Sequence, residues 1–402
     1  MRPVRIVVAA VLVAAAAVTG SIVARSTAHR SATPDRGIAA TAPPTTVAVV
    51  PARKDPSSSP QPQGPTTLPL GRVGPLEAVQ AIGTQVAFAV GKGTILTTSD
   101  GGRSWVRVWR GAQDLHDLDF VGASTGWALG DGILLGTVDG GRRWRQLGQP
   151  RVRPLRSVHF SSPSEGWGVA GPDLPGGRRL PATTLVHTRD GGRTWSAMAA
   201  PAPPQSVCFT SANDGWLASR TGVWRSTDGG RSWGPRPNFT LPLTTYTYAP
   251  SAVLQCAAPD AAWVRFDSGE GVAGSSPYAL YATGDAGAHW RAVLAVYGEP
   301  GVPGAPGSYP GPFSVIDPRR AFLLSPTPAA DSTGAVLISQ GGSRLQGRPG
   351  IPRTRLSTDS EPMSVSFASA TRGWVVGAGA DGRGVILVTV DGGRSWRSQL
   401  SS

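Results

Sequence analysis

The stretch "TSDGGRSW", residues 98–105, has the composition of a tight hairpin turn, and five further copies of it occur along the chain. The copies are "TVDGGRRW", "TRDGGRTW", "STDGGRSW", "TGDAGAHW" and "TVDGGRSW". A carboxylate at the head of such a turn can accept hydrogen bonds from the backbone N–H groups that follow it, and paired glycines tolerate positive φ. We therefore predict that the turn stabilises itself and that these residues are structural: Asp100, Asp139, Asp190, Asp228, Asp285, Asp391, Trp105, Trp144, Trp195, Trp233, Trp290 and Trp396.

The turn belongs to a longer repeat. A second motif precedes it, as in "FVGASTGWALG", "FSSPSEGWGVAG", "FTSANDGWLAS" and "FASATRGWVVGAG". The gap between the last two turns is double, and midway through it lies "ISQGGSRL", a decayed copy in which Gln340 replaces the Asp and Leu345 the Trp. Residues 71–402 thus divide into seven units of about 47 residues.

Each unit reads as four short strands, named A to D. In the third unit these are "LRSVHF", "GWGVAG", "TTLVHT" and "RTWSAM", separated by turn-rich pieces. A four-stranded sheet repeated at this period cannot cover its own faces, so neighbouring sheets must pack around an axis. The sequence predicts an all-β, seven-bladed β-propeller with four-stranded blades over 71–402, in which the repeated turn joins strands C and D.

The N-terminal segment indicates export. Arg2 and Arg5 precede an uncharged run of 19 residues, 6–24, which approaches the length needed to span a bilayer. Residues 1–24 are predicted to be a signal peptide or signal anchor, with a retained membrane helix at 6–24 favoured and secretion after cleavage as the alternative. Residues 25–70 are rich in Pro, Ser and Thr and predict a disordered linker. The propeller is expected to be extracytoplasmic.

Composition restricts the chemistry. The net charge of +13 comes almost wholly from arginine and is expected to reflect composition, not a nucleic-acid partner. The five histidines show no metal-ligand spacing, and no Gly-rich loop leads into a helix as phosphate sites require. We expect no metal and no cofactor.

The pattern Ser/Thr-x-Asp-x-Gly-x-x-Trp resembles the Asp-box, or BNR repeat, of sialidases, sortilin-type receptors and the photosystem II stability and assembly factor family. The close pairing of "GW" strands with "DGGRSW" turns is most similar to the assembly-factor type, which implies a non-enzymatic scaffold. Sialidases imply the alternative, a glycan-processing hydrolase with an Arg-Ile-Pro motif and a Tyr nucleophile paired to a Glu. No Arg-Ile-Pro occurs here, and Glu270 with Tyr278 is the one pairing to consider. We favour a binding protein without catalytic residues.

Loop lengths indicate which face binds. The long insertions all fall in B–C or D–A loops, on the rim opposite the repeated turns, and function concentrates on such loops. The partner is expected to be a protein or an envelope polysaccharide. Candidate binding residues are Arg178, Arg179, Tyr246, Tyr248, Tyr278 and Tyr309.

The two cysteines, Cys208 and Cys256, both fall in strand A of consecutive units. Export would permit a disulfide between them. The alignment places Cys256 opposite Phe209, one residue beyond Cys208, so the two side chains could instead point to opposite faces. A disulfide and two separately buried thiols both remain open at this stage.

Overall fold

The computed structural model describes residues 70–151, 153–171, 183–234, 251–267, 276–296, 302–326, 332–339, 345–352, 355–357 and 364–400. These residues all belong to one compact unit, Pro60–Ser402. The predicted signal or anchor, 1–24, and the linker up to residue 69 lie outside them. Among the described residues there is no helix with the length and apolarity to cross a membrane.

The described chain folds into antiparallel sheets whose strand order follows the sequence. The first sheet contains β1 (Leu76–Ala81), β2 (Ala87–Thr98), β3 (Val106–Val121), β4 (Thr125–Gly130), β5 (Ile133–Thr137) and β6 (Arg145–Gln146). The next two contain β7 (Leu155–Phe160), β8 (Gly166–Ala170), β9 (Thr184–Thr188) and β10 (Ser196–Met198), then β11 (Ser206–Phe209), β12 (Gly215–Ser219) and β13 (Gly222–Ser226).

Three four-stranded sheets complete the propeller. They contain β14 (Ser251–Ala258), β15 (Ala261–Asp267), β16 (Tyr278–Thr283) and β17 (Arg291–Ala295); β18 (Phe313–Asp317), β19 (Arg320–Ser325), β20 (Ser332–Ser339) and β21 (Gln346–Pro352); and β22 (Ser364–Phe367), β23 (Gly373–Ala378), β24 (Gly384–Thr389) and β25 (Arg397–Ser398).

The β-propeller is confirmed, but the prediction of seven separate blades is wrong, because the described residues form six sheets. The difference comes from β3, which pairs with β2 near its start and with β4 from Leu115 to Val121. Strand D of the first unit and strand A of the second are thus one continuous strand. The D–A connections after units two and three contain prolines such as Pro150 and Pro203, which lack the N–H that a ladder needs, whereas residues 106–121 contain none.

The hydrophobic core lies between the units. The B strands β4, β8, β12 and β23 are buried at every position, as expected for strands covered on both faces. One core cluster joins Trp127 of the second unit to Leu155 and Phe160 of the third. Another joins Leu76 and Val79 of the first unit to Trp374 of the last, so the ring closes by packing of β1 against the final sheet.

Candidate functional site

The Asp-box turns form a hydrogen-bonded loop of constant geometry. In the third unit, Asp190 Oδ1 accepts from the N–H groups of Arg193 at 3.0 Å and Thr194 at 2.9 Å, while Oδ2 accepts from the Thr194 hydroxyl at 2.6 Å. Thr188 Oγ1 donates to Asp190 at 2.8 Å and accepts from the N–H of Gly192 at 2.9 Å. The donors therefore lie three and four residues after the Asp, further along than the N–H groups of the glycines.

The other described boxes repeat this arrangement. The N–H four residues after the Asp donates to its Oδ1 at 2.9 to 3.0 Å in the turns of Asp100, Asp139, Asp228, Asp285 and Asp391. The hydroxyl and N–H of Ser232 hold the pKa of Asp228 at about 2. Burial raises the pKa of Asp190, but hydrogen bonds from Thr194 outweigh it and give about 2. Each carboxylate already accepts hydrogen bonds from its own turn. The described residues contain no group of three His, Cys, Asp or Glu side chains that could hold a metal ion.

In the second and third units, the tryptophan of strand B donates a hydrogen bond to the neighbouring box turn. Trp127 Nε1 donates to the carbonyl of Gly191 at 2.9 Å, and Trp167 Nε1 donates to that of Gly229 at 3.1 Å. In both cases the acceptor is the first glycine of the next unit's box. Trp167 also stacks on Phe209 of that unit, with ring centroids 3.6 Å apart. The "GW" pair marks these tryptophans in the sequence, but the motif alone did not predict that their indoles bind the next unit.

The glycine before that tryptophan is required by the same packing. A Cβ at Gly166 would lie 2.3 Å from the ring of Phe160 in the same unit. Phe160 in turn stacks on Trp127 at 3.4 Å and meets the box residue Trp195 edge-on at 6.0 Å. One aromatic cluster therefore joins strand B of one unit to strand A and the box of the next.

The candidate binding residues on the long-loop rim are only partly described. Arg178, Arg179, Tyr246 and Tyr248 lie outside the described residues, as does Glu270. Tyr278 is not a surface residue: it is 1% exposed, and its hydroxyl donates to Ser325 Oγ at 2.6 Å. Burial raises the pKa of Tyr278 to about 12, which makes it a poor nucleophile. These facts correct the expectation that Tyr278 contacts a partner.

Tyr309 is half-buried in a loop that is fixed through its backbone. Its N–H donates to the carbonyl of Pro326 at 3.0 Å, and its carbonyl accepts from Ser325 Oγ at 2.6 Å. Because these bonds use the main chain, the phenol side chain of Tyr309 stays a candidate contact.

The central channel encloses about 780 Å³ between the inner strands. Its polar side chains are largely used to join neighbouring units. In most of these bonds a backbone N–H of one unit donates to a side-chain oxygen of its neighbour: Val79 to Ser364, Val158 to Asp117, Phe160 to Asp119, Leu254 to Ser206, Val315 to Gln255 and Phe367 to Ser314. In addition, His159 Nε2 bonds the carbonyl of Phe209, and the Gln255 amide donates to the carbonyl of Phe313. The polar side chains of the channel therefore stabilise the ring through hydrogen bonds between neighbouring units.

Two carboxylates in the channel wall are electrostatically perturbed. Burial raises the pKa of Asp117 to about 6, with His116 lowering it and Asp119 raising it further. Burial also raises the pKa of Asp119, against the effect of His159, whose Nδ1 lies 4.0 Å away. A carboxyl with a pKa near 6 could act as a general acid, but each of these two accepts a backbone N–H from β7.

The fold is a β-propeller, and six of its turns are of the Asp-box, or BNR, type. Residues 107–233, about a third of the chain, match the family model of the Photosynthesis system II assembly factor YCF48. The resemblance read from the repeats is thereby confirmed. No curated protein matches the chain.

Solved structures of propellers are similar at low identity. A structure described as YCF48 bound to D1 peptide is 16% identical with a TM-score of 0.49, covering 82% of this chain and 96% of that one. An ancestral GH74 enzyme is 14% identical with a TM-score of 0.53, covering 85% of this chain and 48% of that one. The WD40 β-propeller domain of Doa1 is 13% identical with a TM-score of 0.51, covering 82% and 97%. At these identities the last two show the propeller fold alone.

Proposed function

We propose that this chain is a non-catalytic assembly or binding scaffold that presents its long-loop rim to a protein partner, with an envelope glycan as the second class of ligand. The observation that carries the proposal is the match of residues 107–233 to an assembly-factor family. The rim that carries the box turns has short connections throughout, which leaves the opposite rim as the variable surface.

The described geometry gives physical support to the absence of catalysis. The perturbed carboxylates Asp117 and Asp119 are bonded to backbone amides of the next unit, and the phenol of Tyr278 is buried against Ser325. Removing any of them from these contacts would leave a buried donor or acceptor unpaired, at a cost of about 1 to 3 kcal/mol. These contacts favour a structural role for the three side chains over a catalytic one.

We further propose that the scaffold acts outside the cytoplasm, held at the membrane by residues 6–24. The uncharged run and the Pro-rich linker that follows it support this placement. Fractionation of cells that express the full chain, followed by protease treatment of intact spheroplasts, tests it: the propeller should be membrane-associated and accessible to the protease. Protection from protease would place it inside the cell.

Site-specific photo-crosslinking tests the binding face. A photoreactive residue is placed at Asp131 or Asp381, in B–C turns of the long-loop rim, or at Val138 or Val390, in box turns. All four side chains are exposed. We expect a discrete crosslinked protein from the first pair and none from the second.

The hydrolase alternative is tested on the same material. The purified chain is incubated with sialyl conjugates and with β-glucan oligosaccharides, and released sugar is measured. Turnover that is abolished by Asp117→Asn, together with no crosslinked protein from either rim, would replace the scaffold with an enzyme.

A further inference from the structure

The seam between the last unit and the first contains a pocket of about 400 Å³ that opens on the box rim. Gln399 holds this seam together: its Oε1 accepts from the indoles of Trp105 and Trp374, both at 3.0 Å, and its Nε2 donates to the carbonyl of Gly101 at 3.1 Å. Arg372 Nη2 donates to the same carbonyl. The pocket is therefore built on a rigid, hydrogen-bonded base.

Three guanidinium groups line this pocket, those of Arg103, Arg372 and Arg397. Of the described side chains around it, Asp100 supplies the one carboxylate. Both oxygens of Asp100 are occupied by its own turn, since Oδ1 accepts from the Thr98 hydroxyl and the Ser104 N–H, and Oδ2 accepts from the Ser104 hydroxyl at 2.6 Å. The lining thus carries a net positive charge of two from these four groups.

Arg372 is held in place but not neutralised. Its Cζ lies 5.2 Å from the ring centroid of Trp374, and its buried Nε has no hydrogen-bond partner among the described residues. Burial, and then the charge of Arg103, lower the pKa of Arg372. Two cations that line one pocket, whose carboxylate is already hydrogen-bonded to its own turn, are costly unless an anion joins them.

The equivalent seam between the third and fourth units carries less positive charge, because two arginines and one glutamate line its pocket. There the position of Arg372, directly before the Gly-Trp pair, is Glu165, and the pocket of about 280 Å³ also contains Arg189 and Arg231. Glu165 Oε2 pairs with His187 Nε2 at 2.7 Å. The box arginine is present in both seams, and the closing seam gains positive charge because Arg372 stands where the third seam has Glu165 and Arg397 stands where the third unit has Ser196.

We propose that the closing-seam pocket binds a phosphate group, carried by free phosphate or by a phosphomonoester. Guanidinium forks match phosphate oxygens in pairs of hydrogen bonds. A phosphomonoester carries a charge of about −1.5 to −2 at neutral pH, which balances the lining, whereas a carboxylate would leave one cation uncompensated. Val390, 48% exposed, lies at the mouth and can contact an apolar ester substituent.

Calorimetric titration of the full chain with inorganic phosphate, and with acetate at equal ionic strength, tests the proposal. We expect one saturable phosphate per chain and much weaker acetate binding. Arg372→Glu, which places a carboxylate where the third seam has Glu165, and Arg397→Gln should each weaken phosphate binding by about tenfold or more. Arg397 is exposed and makes no seam bond among the described residues, so its variant stays informative if Arg372→Glu fails to fold.

Arg231→Gln in the third seam is the matched control and should leave phosphate binding unchanged. Co-sedimentation with phosphatidylcholine vesicles, with and without phosphatidic acid, identifies the source. Binding of inorganic phosphate indicates a soluble ligand, and binding only to vesicles that contain phosphatidic acid indicates a lipid headgroup. Failure to bind either probe, acetate binding as tight as phosphate, or unchanged affinity in Arg397→Gln would overturn the proposal.

Discussion

The indole N–H of Trp167 donates to the carbonyl of Gly229 across the boundary between two repeat units, over 3.1 Å. Trp167 is on strand B of the third unit, and Gly229 begins the glycine pair of the fourth unit's box. The box turn is therefore stabilised from two sides, by its own Asp and by the preceding unit. Trp127 and Gly191 link the second unit to the third in the same way.

Replacing Trp167 by Phe should destabilise the protein through loss of this hydrogen bond. The ring stack on Phe209 can persist, but the Gly229 carbonyl is left without its donor, at a cost of about 1 to 2 kcal/mol. Trp216→Phe is the matched control, because Trp216 is equally buried on strand B and its Nε1 has no partner among the described residues. Urea unfolding should give a larger loss for Trp167→Phe, and equal losses would argue against the contact.

Asp190→Ala should lower the free energy of unfolding by about 1 to 3 kcal/mol, because the N–H groups of Arg193 and Thr194 lose their acceptor. Asp190→Asn keeps one amide oxygen in place of Oδ1 and should lose less. Thermal melting of the two variants checks the order. If Asp190→Ala kept the wild-type melting temperature yet lost partner binding, the box would be a binding site and not a structural turn.

Stability should depend on pH in two separate windows. The pKa of Asp117 is raised to about 6, so this carboxyl holds its proton more tightly when folded; its contribution is full below pH 4 and lost as the pH rises through about 6. Four box carboxylates behave oppositely: the pKa values of Asp190, Asp228, Asp285 and Asp391 are lowered to about 2, so their contribution is present above pH 4 and lost as the pH falls through about 2. Maximum stability is expected between these windows.

Asp117→Asn isolates the upper window. The amide oxygen can still accept from Leu118 N–H, but it does not titrate, so the fall in melting temperature between pH 4 and 6 should become shallower. His116 and Asp119, the charged groups that act on Asp117, are unchanged in this variant. Melting temperatures at constant ionic strength from pH 3 to 8 test it, and parallel curves for the variant and the wild type would show that Asp117 titrates normally.

Local chemistry made much of the fold predictable. Asp190 and its glycines specify a turn by themselves, and residues 364–367 alternate as a half-buried strand must. The continuity of β3 was not predictable. Gly111 suggests that the strand ends there, and the absence of proline allows residues 106–121 to pair but does not require it. The sequence did not predict the burial of Tyr278, because its hydrogen-bond partner, Ser325, is 47 residues away along the chain. The positive charge of the closing seam was not predictable for the same reason, because Arg103 and Arg372 line one pocket only when the ring closes.

The two cysteines provide the last prediction. Cys208 on β11 and Cys256 on β14 are joined by a disulfide in the structure, with Cα atoms 5.9 Å apart, so the bridge would link the inner strands of two consecutive units. A bridge that closes a loop of this length typically stabilises a protein by about 2 to 4 kcal/mol. The double variant Cys208→Ser with Cys256→Ser should therefore unfold at lower denaturant, and the wild type should move to the same midpoint on reduction. Thiol titration of the denatured, unreduced chain after export should find no free thiol. Two free thiols per chain, or a midpoint unaffected by reduction, would contradict the bridge and leave two separately buried cysteines.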